Sequence, residues 1–225
     1  MAAGGELKLL GLWTSPFVIR VRLMLNLNGL SYEYVEEDVK NKSELLLGSN
    51  PVHKKVPVLL HDGKPICESQ VIVQYIDEVF GAAGHPIFPA DPYERATARF
   101  WAAYVDDKVG SAWRAMLFAQ EIEEKVEGAK HAIAAMETLE GALRDCSKGN
   151  GYFGGDMAGL VDIVLGGYLG WFNVFEKMIG IRVLDAERTP LLAAWADRFR
   201  ALDAARGILL EDVDQVLDFL KAFFA

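Results

Sequence analysis

A serine stands where a strand pattern turns into a helix. In Trp13-Thr14-Ser15-Pro16-Phe17 an apolar run delivers Ser15 and Pro16 to the first turn of an amphipathic segment. Serine before a helix and proline at its first position make an ordinary cap. The same arrangement aims a hydroxyl and the free N–H groups of a helix start at one point, which favours an anion there. A serine cannot form a disulfide, but its O–H can donate to a thiolate supplied by a bound thiol. Lowering a thiol pKa from about 8.5 by roughly two units needs ~2.7 kcal/mol of preference for the anion. That is within reach of one hydrogen bond plus a helix terminus.

Three further groups suit the remainder of such a ligand. Val56-Pro57 precedes an apolar run; its proline fits a sheet edge, or, as a cis bond, it would offer the Val56 N–H and C=O to an extended peptide. Glu68-Ser69 precedes a helical pattern. The pair serves as a helix cap with a surface acid, or it holds a carboxylate on Ser69 and the helix amides while Glu68 attracts an ammonium. Between residues 38 and 64, Lys40, Lys42, Lys54, Lys55 and Lys64 face three acids, which leaves +2 there and −11 elsewhere. Lys42 and Lys55 flank a short apolar run and the Val56-Pro57 bond, suited to a second carboxylate or to a solvated face. Taken as one site, these groups fit a short peptide with a free thiol, an amino-carboxylate end and a second carboxylate, which is the chemistry of glutathione.

Other chemistry is missing from the pattern. His53, His61, His85 and His131 show no metal-ligand spacing, and there is no phosphate loop, so metal and nucleotide cofactors are not indicated. Gly166-Gly167 and Gly170 lie inside a helical pattern and read as close helix packing. Asp106-Asp107 reads as a solvated helix face. The net charge of −9, from 23 basic and 32 acidic residues, argues against nucleic-acid or anionic-lipid partners. Cys67 and Cys146 make no disulfide framework, and no signal-peptide pattern is present, which favours a reducing, intracellular compartment. The longest uncharged apolar stretch, 163–172, has ten residues, against the ~20 needed for a membrane span.

The elements that must position these groups follow from periodicity. Residues 6–13 and 31–37 alternate as strands, and Phe17, Val18, Val21, Met24 and Leu25 make a helical stripe that Asn28-Gly29 stops. Ser43 precedes a short helix at Leu45–Leu47. Residues 57–61 and 64–67 form a hairpin about Asp62-Gly63. A third helix is predicted to be capped by Ser69 and to bury Ile72, Tyr75, Ile76 and Val79. Turn formers and prolines at 81–92 mark a linker. Beyond it no strand is predicted, and helical spacing recurs at Phe100, Trp101 and Tyr104, from Ile122 to Leu143, and over 160–175, 190–204 and 211–223. The pattern predicts an α/β part followed by an all-helical part.

At these residues the sequence resembles the glutathione S-transferases. The stretches 41–47 (NKSELLL) and 50–69 (NPVHKKVPVLLHDGKPICES) are similar to the plant tau class. Tyr152-Phe153-Gly154-Gly155-Asp156 with Val161-Asp162 resembles the helical-domain signature of the family, departing from it at Gly159, where many members have Ser or Thr. The resemblance covers both parts of the chain. It implies a thioredoxin-like α/β domain at 1–80 that binds glutathione, a linker at 81–92, and an all-α domain at 93–225 contributing an apolar electrophile site. In thioredoxin-like domains the turn at Ser15 holds a redox cysteine; classes with cysteine there are thiol transferases or dehydroascorbate reductases, and serine argues against those activities.

By this resemblance Ser15 is the catalytic hydroxyl, and Ser15, Lys42, Lys55, Val56, Glu68 and Ser69 bind glutathione beside a cis Pro57. Phe17, Arg114, Leu117, Trp171, Phe219 and Phe223 are the candidates for the electrophile site. The implied reaction is conjugation of the glutathione thiolate to hydrophobic electrophiles, a detoxification of xenobiotics and stress metabolites, with a glutathione peroxidase side activity. Glutathione is then a cosubstrate with no tightly bound cofactor, and the implied enzyme is a cytoplasmic homodimer. Two alternatives stand beside it: a non-catalytic carrier of hydrophobic ligands, and a thiol transferase using Cys67, which the strand pattern places in the core.

Overall fold

Leu7, Leu9 and Leu10 carry the first strand, β1 (Leu7–Gly11), into the interior. In the computed structural model, which describes residues 5–225, it is followed by α1 (Pro16–Leu27), β2 (Glu33–Glu36), α2 (Glu44–Ser49), β3 (Val58–His61), β4 (Lys64–Cys67) and α3 (Ser69–Ile76). The strands make one sheet of order β2-β1-β3-β4, with β2 parallel to β1 and β3 antiparallel to both of its neighbours. This is the thioredoxin-like arrangement that the resemblance implies. The hairpin turns on Asp62 and Gly63, whose φ values of 49° and 73° give the two left-handed residues that a tight two-residue turn requires.

Local chemistry sets the helix ends. Ser15 caps α1 by accepting the Val18 N–H at 3.4 Å, and Ser43 caps α2 by accepting the Leu46 N–H at 3.0 Å. Leu46 is the one buried residue of α2, and it packs with Leu10 and Val58 beside Val35, Val56 and Cys67. Two expectations for α3 are corrected. Its cap position is Glu68, while Ser69 is the first helical residue, its hydroxyl engaged by Arg20 at 3.2 Å. Val79 is exposed: a π-helical turn, Asp77–Gly81, follows α3 and shifts the helical register that would otherwise bury it.

The chain divides into two compact units, one ending at Pro86 and the other running from Ile87 to Ala225. The second contains α4 (Pro92–Tyr104), α5 (Gly110–Phe118), α6 (Ile122–Ser147), α7 (Leu160–Gly166), α8 (Leu169–Ile179), α9 (Pro190–Arg200) and α10 (Val213–Phe224). Among the described residues its only strand-like pairing is the bridge between Tyr152 and Gly155. Trp171, Trp195, Tyr168, Phe175 and Phe199 fill its core. The pattern over 160–175 is two helices, because the chain breaks step at Gly167-Tyr168. Gly166 is needed there, since a Cβ would collide with the Phe199 ring. Asp106 is no solvated acid: it is half-buried and accepts the Tyr168 hydroxyl at 3.4 Å.

The loop before α7 closes on a buried carboxylate. Asp162 accepts the N–H groups of Phe153 (2.9 Å), Gly154 (3.0 Å) and Gly159 (2.7 Å) and the Trp195 indole N–H (2.7 Å). Gly159 supplies no capping oxygen, so the cap of α7 rests on the Asp162 half of the exchange. Burial pushes the Asp162 carboxyl up to about 6, against the pull of the four donors.

Candidate active site

The register gathers the candidate glutathione-binding segments at one end of the sheet. Leu10 pairs with Val58, Val58 with Cys67, and Gly11 with Glu36. The turn after β1, the end of β2, the start of β3 and the end of β4 therefore lie side by side, outside the carboxyl ends of three parallel strands, a position where ligands commonly bind.

Ser15 is half-buried. Its N–H donates to the Leu12 carbonyl at 2.9 Å, closing a tight turn, and its carbonyl accepts the Val18 and Ile19 N–H groups at 3.0 Å. The only hydrogen bond at its Oγ is the long one from Val18, so within the described residues the hydroxyl hydrogen is uncommitted. Oγ thus sits at the N-terminus of a twelve-residue helix with a proton to give.

The Val56-Pro57 bond is cis, Pro57 is buried, and Val56 is half-buried with no backbone hydrogen bond inside the described chain. The loop before it is knitted by buried Asn50, which donates to the Lys55 carbonyl at 3.0 Å and accepts the His53 N–H at 3.1 Å. Lys55 is held through its backbone while its side chain stays exposed, and Lys42 is likewise exposed before the capping Ser43. That Ser43 donates to buried Glu37 at 2.7 Å. Glu68 is exposed, with φ of 71° and an oxygen 3.9 Å from the His53 Nε2. Ser69 is 6% exposed and accepts from the Nη1 of Arg20, which is fully buried with its guanidinium 4.9 Å from the centre of the Phe17 ring. A buried cation beside Ser69 favours a carboxylate there.

Cys67 is half-buried, and burial, then the Glu68 charge, pushes its thiol up, the opposite of what a nucleophilic cysteine needs. Among the described residues no group of three His, Cys, Asp or Glu side chains could hold a metal ion, and no helix is long and apolar enough to cross a membrane.

The electrophile candidates differ in setting. Phe17 is half-buried on α1 and Arg114 is exposed on α5. Leu117 and Trp171 are core residues of the helical unit, 8% and 1% exposed. Phe219 and Phe223 are half-buried and stacked at 5.7 Å. An aromatic cluster continues through Trp113, 5.4 Å from Trp171 and 6.4 Å from Phe118, and Phe118 lies 5.9 Å from Phe224. Phe118 and Phe224 are more than half exposed, so the cluster has an open apolar rim.

Sequence reasoning passed over Arg20 and Glu37, and of the aromatic cluster it named Trp171, Phe219 and Phe223 but not Trp113, Phe118 or Phe224. Arg20 did leave a signal, a charge three residues after Phe17 and four before Met24, inside an otherwise apolar stripe.

A thioredoxin-like unit with a helix-capping hydroxyl and a cis-proline at one end of its sheet, joined to a helical unit, is the arrangement expected of a glutathione transferase. The family models agree. The glutathione S-transferase N-terminal domain matches residues 5–78 and the C-terminal domain residues 93–198, and the chain belongs to this family. It is 63% identical over 223 residues to the probable glutathione S-transferase GSTU6 of Oryza sativa subsp. japonica, covering 97% of this chain and 94% of that protein. The crystal structure of the tau-class enzyme MiGSTU from mango matches with a TM-score of 0.88 at 44% identity, over 97% of this chain and 100% of that one. Rice OsGSTU1, solved in complex with glutathione, matches at 0.86 and 38% identity, over 99% and 97%. These likenesses make the chain a tau-class member, whose activity is conjugation of glutathione.

Proposed function

We propose that Ser15 donates the hydrogen bond that holds glutathione as its thiolate, and that this thiolate attacks hydrophobic electrophiles. The observation that carries the reading is the Ser15 hydroxyl itself, half-buried at a helix start with its hydrogen uncommitted. Val56 offers its free N–H and C=O to the peptide in extended form. Ser69, backed by buried Arg20, receives the amino-acid carboxylate, and Glu68 the ammonium. Lys42 and Lys55 attract the second carboxylate. With an aryl halide, the sulfur–carbon bond forms as halide leaves, and the thiol proton passes to solvent before the attack. The site contributes a thiolate and a fixed approach rather than an acid or a metal.

In this reading residues 1–80 bind glutathione, 81–92 link, and 93–225 contribute the apolar site. On the helical unit Arg114, Phe219 and Phe223 serve the electrophile, while Leu117 and Trp171 are buried in its core. Glutathione acts as a cosubstrate, and the enzyme works as a cytoplasmic homodimer in detoxification, with peroxide reduction as a side activity. Glutathione-dependent conjugation of a chromogenic aryl halide tests this. Ser15→Ala should lose at least about tenfold in rate; an unchanged rate removes Ser15 from its role. Dye binding without any conjugation would favour a carrier instead.

A further inference from the structure

We infer that Glu36 is a positioning residue for this reaction, because its carboxylate ties the turn that presents Ser15 to the end of β2. The inference rests on the role proposed above for Ser15. Gly11 and Glu36 are register partners, so Glu36 stands beside the point where β1 ends and the turn begins. Its Oε1 accepts the Trp13 N–H at 3.0 Å. Trp13 is the second residue of the turn closed by the Ser15 N–H on the Leu12 carbonyl. One carboxylate oxygen therefore fixes the peptide plane two residues before the catalytic hydroxyl.

The other oxygen is anchored in turn. Glu36 Oε2 accepts the Tyr34 hydroxyl at 2.8 Å. Tyr34 is held by the Arg22 guanidinium, 4.9 Å from its ring centre, and lies so close to Gly11 that a Cβ there would meet the ring. Burial and the Glu36 carboxylate hold the Tyr34 phenol well above its ordinary range, so it remains a donor. The Glu37 N–H on the Gly11 carbonyl, at 2.7 Å, pins the backbone beside Glu36. Glu36 itself is exposed and contributes nothing to the core. A negative charge near a thiolate disfavours the thiolate, so the benefit of Glu36 lies in geometry and is separable from its charge.

Three variants make that separation. Glu36→Ala removes both bonds, Glu36→Gln keeps an acceptor for Trp13 and removes the charge, and Tyr34→Phe keeps the ring against Gly11 and removes only the anchor. The pH profile of kcat/KM and the ultraviolet absorbance of the bound thiolate are read alongside Ser15→Ala. Glu36→Ala should raise the apparent pKa of bound glutathione and lower kcat about tenfold, with KM for glutathione changed less than about twofold. Glu36→Gln should restore kcat to within about threefold, with the thiol pKa at or below that of the unaltered enzyme. Tyr34→Phe should shift the pKa in the same direction as Glu36→Ala, by less.

A merely structural role would alter thermal stability or KM and leave the thiol pKa in place. If Ser15→Ala is impaired while Glu36→Ala matches the unaltered enzyme in pKa and kcat, the inference is overturned and the role of Ser15 stands. If Ser15→Ala is unimpaired, both fall. Should Glu36→Ala fail to fold, Tyr34→Phe decides: a shifted thiol pKa supports the inference and an unshifted one overturns it.

Discussion

Replacing Ser15 by alanine removes one oxygen with two separable duties. As a cap, Oγ receives the Val18 N–H at 3.4 Å. So long a bond puts the stability cost in the lower part of the capping range, about 0.5–1 kcal/mol. In the role proposed for it, the hydroxyl donates to sulfur, a hydrogen bond to a charged group worth about 1.5–3 kcal/mol. At 1.36 kcal/mol per unit, that raises the thiol pKa by roughly 1–2 units and cuts the thiolate population about 10–100-fold below the thiol pKa. The amides and dipole of α1 remain, so conjugation should fall to a residual rate above that of free glutathione. The assay is the pH–rate profile of aryl halide conjugation for both proteins, with urea unfolding in parallel. The gap between the profiles should close at high pH, where the thiol ionises unaided. A gap that stays constant with pH, or a stability loss as large as the loss of transition-state stabilisation, would refute the hydrogen-bond account.

Other consequences follow from buried charges. Asp162→Asn replaces one of two acceptor oxygens by an amide that faces two N–H donors, whichever way it turns. Unfolding in urea should show a loss of roughly 2–6 kcal/mol, from two buried donors left unpaired. With Asp162 held at about 6 against an ordinary 3.8, the folded chain keeps a proton across that window that the unfolded chain has lost. The contribution of this group should therefore decline as pH rises from about 4 to 6, by up to ~3 kcal/mol, and the stability profile of Asp162→Asn should lack that step. Arg20→Met removes the buried cation and the donor to Ser69. It should raise KM for glutathione by about tenfold or more while changing kcat less, as initial-rate kinetics would show.

What could be read from the sequence was governed by nearby residues. The Ser15-Pro16 helix start, the Asp62-Gly63 hairpin, the Ser43 cap and the long apolar stripe of α6 each follow from a few consecutive side chains. The cis Val56-Pro57 bond came from the family resemblance, since proline alone leaves the choice open. What stayed hidden depends on partners distant in the chain. Glu36 reaches Trp13 only once β2 pairs with β1, and Arg20 meets Ser69 across 49 positions. Asp106 looked solvated because Tyr168 is 62 residues away. Val79 was misplaced for a different reason, a π-helical turn that breaks the 3.6 period and that no residue type announces. The aromatic rim was only half legible, because Trp113, Phe118 and Phe224 gain meaning from rings on other helices.

The central claim is that the fold lowers the pKa of a borrowed thiol at Ser15. Ultraviolet difference titration of glutathione bound to the unaltered protein measures that pKa directly. A bound thiol that ionises about two units below the ordinary value of roughly 8.5 is the predicted result. A bound thiol that titrates like free glutathione would contradict the account.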